Sequence, residues 1–296
     1  MYDLKNIQAL AMVIDMQSFD LAAQKLFISQ SAVSQRIQSL ENRMGLPLLQ
    51  RTLPYRATQT GELLLKYFQQ IRLLQHDLDD HFSQRATPQT VSIAINRDSL
   101  DTWFYHTLPD LHLLTDFRLQ IITDDQELAL DYFKNGLVSA CISTHAKALN
   151  GCRCDYLGQM EYLLVASPEF HDKNFTRVSG SLARKLLGSP AVIFDKNDFL
   201  HKRYLEKHFK IEGEPSYHIA PSVHCFRQFV LCGYGYALIP RIDIRNELRD
   251  GQLIEVAPNK TWKMKLYWHY WSVDSKHYQS FNRVIIERAK HYLSCN

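Results

Sequence analysis

Uncharged polar side chains fill one face of the segment SQSAVSQRIQSLENRMG, which runs from Ser29 to Gly45. At about 100° per residue, a helix here places four apolar residues on one side: Val33, Ile37, Leu40 and Met44. The opposite side carries Ser31, Gln35, Gln38 and Asn42, flanked by Ser34, Arg36, Ser39 and Arg43. Amide and guanidinium groups make bidentate hydrogen bonds to base edges, and hydroxyls hold phosphates. The pattern predicts a DNA-reading helix; the alternative is an ordinary amphipathic surface helix, which usually carries more Glu and Lys.

Local charge supports this interpretation only modestly. Between Lys25 and Arg72 there are seven Lys or Arg residues against two acids, whereas the whole chain of 296 residues has a net charge of +3. A DNA-binding protein carries its positive charge where it meets phosphates. A purely architectural DNA protein would be strongly basic throughout, and this chain is not.

The elements around this segment are predicted to be helices with one short interruption. Apolar spacing predicts a helix over 4–16, and Ser18 is a candidate N-cap for a second helix over 19–27. Residues 48–58 are predicted to form a small hairpin, after which Thr60 is predicted to cap a long helix. Five residues of that helix fall on heptad a and d positions: Leu64, Tyr67, Ile71, Leu74 and Leu78. Such a seam predicts a two-helix coiled coil and hence a dimer; the alternative is packing on the same domain.

A change of pattern follows the polar stretch SQRATPQT, 83–90, which we interpret as a linker. Short apolar runs then alternate with helical segments, beginning with VSIAI and RLQII and ending with KLYWHYW. This alternation predicts an α/β fold with mostly parallel sheets.

Several classes of protein are disfavoured by what the sequence lacks. No apolar run reaches the roughly 18 residues of a membrane span, and no signal peptide is apparent, so we expect a cytoplasmic protein without membrane contact. The six cysteines match no trusted zinc or redox spacing, and no hydrolase, phosphate-loop or metalloprotease motif is present. The adjacent pair His224–Cys225 is a poor catalytic dyad, because neighbours on a helix point in different directions. We expect no enzyme activity, no metal and no cofactor.

These motifs together resemble the LysR-type transcriptional regulators. The resemblance rests on Ala22–Ala23, SQSAVS, LE, G-x-PLL-x-RT and the T-x-x-G at 58–61. Within the family, AAQKL, QSAVSQRI, PLL-x-RT, DSL-x-TW, LYWH and LG-x-x-x-YL are most similar to the ArgP/LysG type, which responds to basic amino acids. The resemblance implies an α/β fold with an all-α N-terminal part: a winged helix-turn-helix, a long linker helix and a two-lobed domain like the periplasmic binding proteins.

The resemblance also implies boundaries and site residues. The DNA-binding domain would span 1–59, the linker and dimerisation helix with its hinge 60–90, and the effector-binding domain 91–296. Lobe I would comprise about 91–160 and 265–296, and lobe II about 161–264, with crossings near Met160 and Met264. Five residues sit where the family's recognition helix meets DNA: Ser29, Gln30, Ser31, Ser34 and Arg36. Arg51 and Thr52 sit in the wing. Family members are commonly tetramers that bind an extended, bent site.

Candidate effector residues lie at strand ends and helix starts. Asp98 and Ser99 fall between a predicted strand and helix, where Ser99 could cap the helix or hold a ligand carboxylate. Asp124 and Asp195 follow strands and have the same two interpretations, capping or pairing with a ligand cation. Ser222 and His224 precede another helix. The basic-amino-acid sensors carry an acid where this chain has His224, and an imidazole attracts a cationic side chain poorly.

We therefore expect a sequence-specific transcriptional regulator that binds double-stranded DNA as a homo-oligomer and responds to a small effector. The effector is expected to be an amino acid, with another small carboxylate as the alternative, and RNA polymerase is an allowed partner. The alternative functions are a ligand-independent regulator, or an architectural protein with a vestigial cleft.

Overall fold

The computed structural model describes residues 3–82, 90–114, 117–124, 126–196, 198–211 and 213–293. The predicted linker at 83–90 lies outside these residues except for Thr90. The chain divides into two compact units. The first unit comprises Met1–Asn96, Thr107–Asp155 and Tyr267–Glu287; the second comprises Arg97–His106, Tyr156–Leu266 and Arg288–Asn296. Two segments assigned above to lobe I, 97–106 and 288–296, thus cluster with the second unit.

The N-terminal part of the first unit is helical, as the apolar spacing predicted. Its elements are α1 (Leu4–Met16), α2 (Phe19–Leu26), α3 (Gln30–Met44), a hairpin of β1 (Leu49–Gln50) and β2 (Arg56–Ala57), and α4 (Gln59–Phe82). The predicted cap is confirmed, since Ser18 accepts a hydrogen bond from the Leu21 N–H at the start of α2. Gly45 ends α3 in the left-handed conformation, with φ of 67°.

The start of α4 differs from the prediction. Thr58, not Thr60, caps this helix, because its hydroxyl accepts from the Gly61 N–H at 3.2 Å and donates to the Pro47 carbonyl at 2.7 Å. Gly61 lies so close to the Leu48 carbonyl oxygen that a Cβ atom would collide with it. The T-x-x-G pattern therefore has a packing reason: the first turn of α4 rests on the backbone of the wing.

The rest of the chain continues as an α/β fold. The helices are α5 (Arg97–Thr102), α6 (Leu108–Leu114), α7 (Gln126–Lys134), α8 (Pro168–His171), α9 (Leu182–Gly188), α10 (Leu200–Phe209), α11 (Val223–Leu231), α12 (Arg245–Arg249) and α13 (Lys276–Tyr292). The strands are β3 (Thr90–Ile95), β4 (Arg118–Thr123), β5 (Ala140–Ser143), β6 (Cys152–Ala166), β7 (Ala191–Ile193), β8 (Tyr217–Ile219), β9 (Ala237–Pro240), β10 (Ile254–Glu255) and β11 (Trp262–Trp271).

The expectation of mostly parallel sheets is wrong. In the first unit β3 pairs in parallel with β4 and β5, but β11 pairs with β5 in antiparallel fashion. In the second unit β7 and β8 are parallel, whereas β6 is antiparallel to both β9 and β10. The long strands β6 and β11 each pass from one unit into the other, and antiparallel pairs such as β11 with β5 need no helical crossover.

Each unit has its own apolar interior. In the N-terminal part of the first unit, Leu10, Val13, Val33 and Ile37 are fully buried. In the second unit the core includes Leu163, Val192, Val230 and Ile239. Among the described residues, no helix combines the length and apolar character that crossing a bilayer requires.

Candidate functional site

The polar face of α3 is exposed, and its apolar face is buried. Val33, Ile37 and Leu40 have almost no accessible surface, and Met44 packs partly against the same core. The residues on the opposite face, Ser31, Gln35, Gln38 and Asn42, are all exposed, and so are Ser29 and Gln30. Ser34 and Arg36 are partly exposed at its flank. The helix therefore presents amides, hydroxyls and a guanidinium group to solvent while its other side anchors it.

Two of the predicted DNA-contacting hydroxyls hold the helix start. Ser29 is the N-cap of α3, and its Oγ accepts from the Ala32 N–H at 3.2 Å. The Ser31 hydroxyl lies 2.9 Å from the Ser29 hydroxyl. This pair orders the first turn of α3, and backbone N–H groups without intrahelical partners at a helix start are favourable for a phosphate.

Glu41 ties the wing to α3, a role that the sequence analysis missed. Its Oε1 accepts from the backbone N–H groups of Leu48 and Leu49 at 2.9 and 3.3 Å. Its Oε2 pairs with the Arg51 guanidinium at 3.1 Å. The side chain of Glu41 is largely buried, while that of Arg51 is 56% exposed and Thr52 is exposed. One carboxylate on α3 thus contacts the wing at Leu48, Leu49 and Arg51, although its sequence position gave no sign of this.

The seam predicted on α4 is largely an exposed apolar stripe. Tyr67, Ile71, Leu74 and Leu78 are 57, 37, 46 and 58% exposed. Leu64 differs, because it packs partly against the N-terminal core. The apolar residues of α4 that face their own unit are others, including Leu65, Phe68 and Leu73.

A carboxyl group with an abnormal pKa lies in α5 of the second unit. Tyr162 of β6 donates a hydrogen bond from its hydroxyl to Asp98 Oδ2 at 2.6 Å. The pKa of Asp98 is raised to about 6: desolvation is the main cause, the Tyr162 hydrogen bond opposes it, and the charges of Asp198, Asp243 and Asp101 add to it. Asp98 remains partly accessible to solvent. A ligand cation arriving there would stabilise the ionised form of this carboxyl group.

The neighbouring Ser99 is completely buried, and its position differs from the predicted cap. It lies inside α5 rather than before it, and its hydroxyl has no hydrogen-bond partner among the described residues. A buried hydroxyl without a partner is costly, and a ligand carboxylate would relieve that cost.

Three further predicted effector residues lie in the second unit. Asp195 sits 3.7 Å from the Arg97 guanidinium, which also lies over the Phe194 ring. Ser222 is the N-cap of α11, since its hydroxyl accepts from the Cys225 N–H, and His224 is exposed in the first turn. Helix α11 contacts α5, the helix that carries Asp98 and Ser99.

Asp124, the remaining predicted effector residue, belongs to the first unit. It follows β4, and its Oδ2 accepts from the Tyr132 hydroxyl of α7 at 2.9 Å. Its backbone N–H donates to the Ile95 carbonyl at the end of β3. A separate open cavity of about 740 Å³ in the second unit is lined by residues such as Glu161, Arg241 and Glu255, and contains none of the predicted effector residues.

Comparison with known proteins gives consistent matches along the chain. Residues 4–62 match the model of the bacterial regulatory helix-turn-helix proteins of the lysR family, and residues 85–290 match the LysR substrate binding domain. The HTH-type transcriptional regulator ArgP of Vibrio parahaemolyticus is 35% identical over 294 residues, covering 98% of both chains. ArgP of Pseudomonas fluorescens is 38% identical over 274 residues, covering 92% of this chain and 91% of the relative.

Similarity to solved structures agrees with these family matches. The crystal structure of ArgP from Mycobacterium tuberculosis superposes with a TM-score of 0.85 at 29% identity, covering 96% of each chain. Full-length LysG from Corynebacterium glutamicum, which holds arginine as its bound effector, gives a TM-score of 0.79 at 28% identity and covers 98% of this chain and 99% of that one. With both family domains matched in order, the chain belongs to the LysR family of DNA-binding transcriptional regulators, as the sequence motifs indicated.

Proposed function

We propose that the chain reads its operator with the exposed face of α3 and holds the DNA backbone with the wing. The observation that carries this proposal is the exposure of Gln35 and Gln38 beside Arg36, on a helix whose other face is buried. Gln35 and Gln38 supply base readout, and Ser29, Gln30, Ser31 and Ser34 contact phosphates or base edges. Arg51 and Thr52 contact the backbone or minor groove from the wing. In this proposal residues 1–59 form the DNA-binding domain.

The effector in this proposal is a basic amino acid, and Asp98 binds a cationic group of it. The carboxyl of Asp98 is surrounded by other acids and held partly protonated, so that a cation is the ligand it lacks. Asp98 thus supplies the negative charge that an acid at the position of His224 supplies in the related sensors. Ser99 binds the effector carboxylate, with Asp195 and Ser222 close by. Arginine in the similar LysG structure supports this choice of ligand class.

A thermal-unfolding screen of the full chain tests the effector. Arginine and lysine should raise the midpoint, by an amount equivalent to about 2.7 kcal/mol at 100 times the dissociation constant. Citrulline, which has the shape of arginine without its side-chain cation, is the matched control and should give a much smaller shift. Equal shifts with citrulline and arginine would remove the role of the cation. No shift with any amino acid or small carboxylate would favour a ligand-independent regulator.

Oligomer formation in this proposal uses the exposed stripe of α4, which pairs two chains; tetramers arise from two such pairs. The protein acts in the cytoplasm, where its operator lies, has no catalytic role, and can contact RNA polymerase from its bound position. Sedimentation of Leu74→Glu against Gln75→Glu, an exposed neighbour on the same helix, tests the stripe. The Leu74 variant should sediment as a smaller species with unchanged helix content. The same sedimentation for both variants would contradict the seam.

A further inference from the structure

Three potential metal ligands from distant parts of the chain meet in the first unit. His76 and Asp77 lie near the C-terminal end of α4, and His277 lies in the first turn of α13. One ligand atom from each residue lies within 4.8 Å of the other two. We propose that His76, Asp77 and His277 bind a divalent transition-metal ion of the Zn²⁺ class.

The state of His76 is the observation that points to a ligand. Its side chain is 9% exposed, and neither ring nitrogen has a hydrogen-bond partner among the described residues. A neutral imidazole has one N–H donor and one acceptor nitrogen, so burial leaves both without compensation for lost water. Coordination of one nitrogen to a metal ion would satisfy the acceptor and compensate it for the water lost on burial.

The surroundings hold the ring in place without competing for its nitrogens. Phe117 stacks against the His76 ring, with centroids 5.8 Å apart and an angle of 30°. The His277 ring meets it edge to face at 5.6 Å and 89°. The two imidazoles are therefore oriented by ring packing, and Phe117 gives the site one apolar wall.

Asp77 completes the ligand set and is itself fixed. Its Oδ1 accepts from the Ser275 hydroxyl at 2.9 Å, and its Oδ2 accepts from the Lys276 N–H at 2.7 Å. Each carboxylate oxygen keeps a second lone pair, so these bonds do not exclude coordination. They are the supporting contacts that orient a ligating carboxylate.

Two imidazole nitrogens and one carboxylate oxygen are ligands typical of Zn²⁺, Co²⁺ and Ni²⁺, with water in the remaining position. Ligand atoms around a tetrahedral Zn²⁺ are about 3.4 Å apart, so from separations of at most 4.8 Å binding would draw the three groups closer together by no more than about 1.4 Å. Rotation of side chains can provide this movement.

An ion at this site would cross-link α4 to the start of α13. The two segments are 199 positions apart in the chain at the Asp77–Lys276 contact. Metal binding would thus fix the end of the helix that leads from the DNA-binding domain against the effector-binding domain. This inference does not depend on the identity of the effector.

Cobalt titration of the full-length chain, first treated with a chelator and kept reduced, tests the site. We expect one Co²⁺ per chain with visible d–d absorption and without a sulfur-to-cobalt charge-transfer band, since the ligands are nitrogen and oxygen. Zn²⁺ should displace the colour and raise the unfolding midpoint. No binding to the wild-type chain would overturn the proposal, and a charge-transfer band would move the ion to the thiols of Cys152 and Cys154.

Variants separate this site from incidental surface binding. His277→Gln should weaken Co²⁺ binding by more than about tenfold, whereas His112→Gln, on the exposed α6, should leave it unchanged. His76→Phe should abolish binding and still fold, because an aromatic ring replaces the unpaired imidazole between Phe117 and His277. Unchanged affinity in His277→Gln and His76→Phe would overturn the assignment.

Discussion

The polar side chains of α3 and of α5 lie in opposite environments. On α3 the amides and hydroxyls are exposed, and the hydroxyls of Ser29 and Ser31 bond with each other. In α5 the Asp98 carboxyl is largely desolvated and the Ser99 hydroxyl is buried without a partner. A surface that meets hydrated DNA can keep water until contact, whereas a site for a small ligand must already be shaped and partly dry. Water is therefore removed from α3 only when DNA binds, whereas the polar groups of α5 are already largely desolvated in the folded chain.

Asp98→Asn should produce the largest effect. The amide oxygen still accepts from Tyr162, but the charge is lost, so we expect arginine affinity to fall by at least about 100-fold. Calorimetric titration of the full chain measures this loss. Asp101→Asn, an exposed acid on the same helix, is the control and should bind nearly as the wild type does. Undiminished binding by Asp98→Asn would show that the Asp98 carboxylate does not bind the cation of arginine.

Gln35→Ala should lower discrimination between operators rather than overall affinity. Loss of a bidentate contact to a base costs about 1–3 kcal/mol of discrimination at that base pair. Selection from randomised duplexes, scored position by position, measures it. Gln8→Ala on α1 is a matched exposed glutamine and should keep the wild-type preference. A preference unaffected by Gln35→Ala would mean that another face of α3 reads the bases.

The pH dependence of stability distinguishes a desolvated carboxyl from an ordinary one. The pKa of Asp98 is about 6 in the folded chain, above the ordinary aspartate value of 3.8, so the folded state holds this proton more tightly. The contribution of the protonated Asp98 carboxyl to folding stability is complete below about pH 4 and is lost as the pH rises through about 6. At pH 7, the free energy of unfolding of Asp98→Asn should exceed that of the wild type by about 2 kcal/mol. This difference is smaller than full burial would give, because Asp98 is partly exposed.

Denaturant unfolding of both proteins between pH 4 and 8 provides the measurement. The stability difference should grow with pH and level off above pH 7. A difference that does not vary with pH would show that Asp98 titrates normally.

Arg51→Ala should have the smallest effect on folding. Its pair with Glu41 is exposed on the arginine side, and such pairs contribute about 0–1 kcal/mol. DNA binding should weaken uniformly across sequences, and the slope of log affinity against log salt should fall by about 1. Titrations at several salt concentrations measure this slope. Glu41→Ala is the informative companion, because it also frees two wing N–H groups and should lower the unfolding midpoint.

Features that depend on residues close together in the sequence could be predicted, whereas features that depend on residues far apart in the chain could not. The faces of α3, the cap at Ser18 and the hairpin depend on neighbours within about one or two helical turns, so periodicity and local chemistry revealed them. Asp98 was visible as a polar residue after a strand, but Tyr162 and the acids that shift its pKa come from other elements. His76 and His277 share no spacing pattern at all. Their meeting depends on how α4 packs on the effector-binding domain, and pattern analysis of single segments does not contain that information.

The contact between Gly61 and the Leu48 carbonyl couples the orientation of α4 to that of the wing. A helix of 24 residues is about 36 Å long, and here its first turn is clamped directly onto the wing. A tilt of about 10° at the far end corresponds to a displacement of about 6 Å there. Because Gly61 rests directly on the backbone at Leu48, a change in the tilt of α4 would act on the wing. Glu41 ties the wing to α3, so such a change would also act on the polar face of α3.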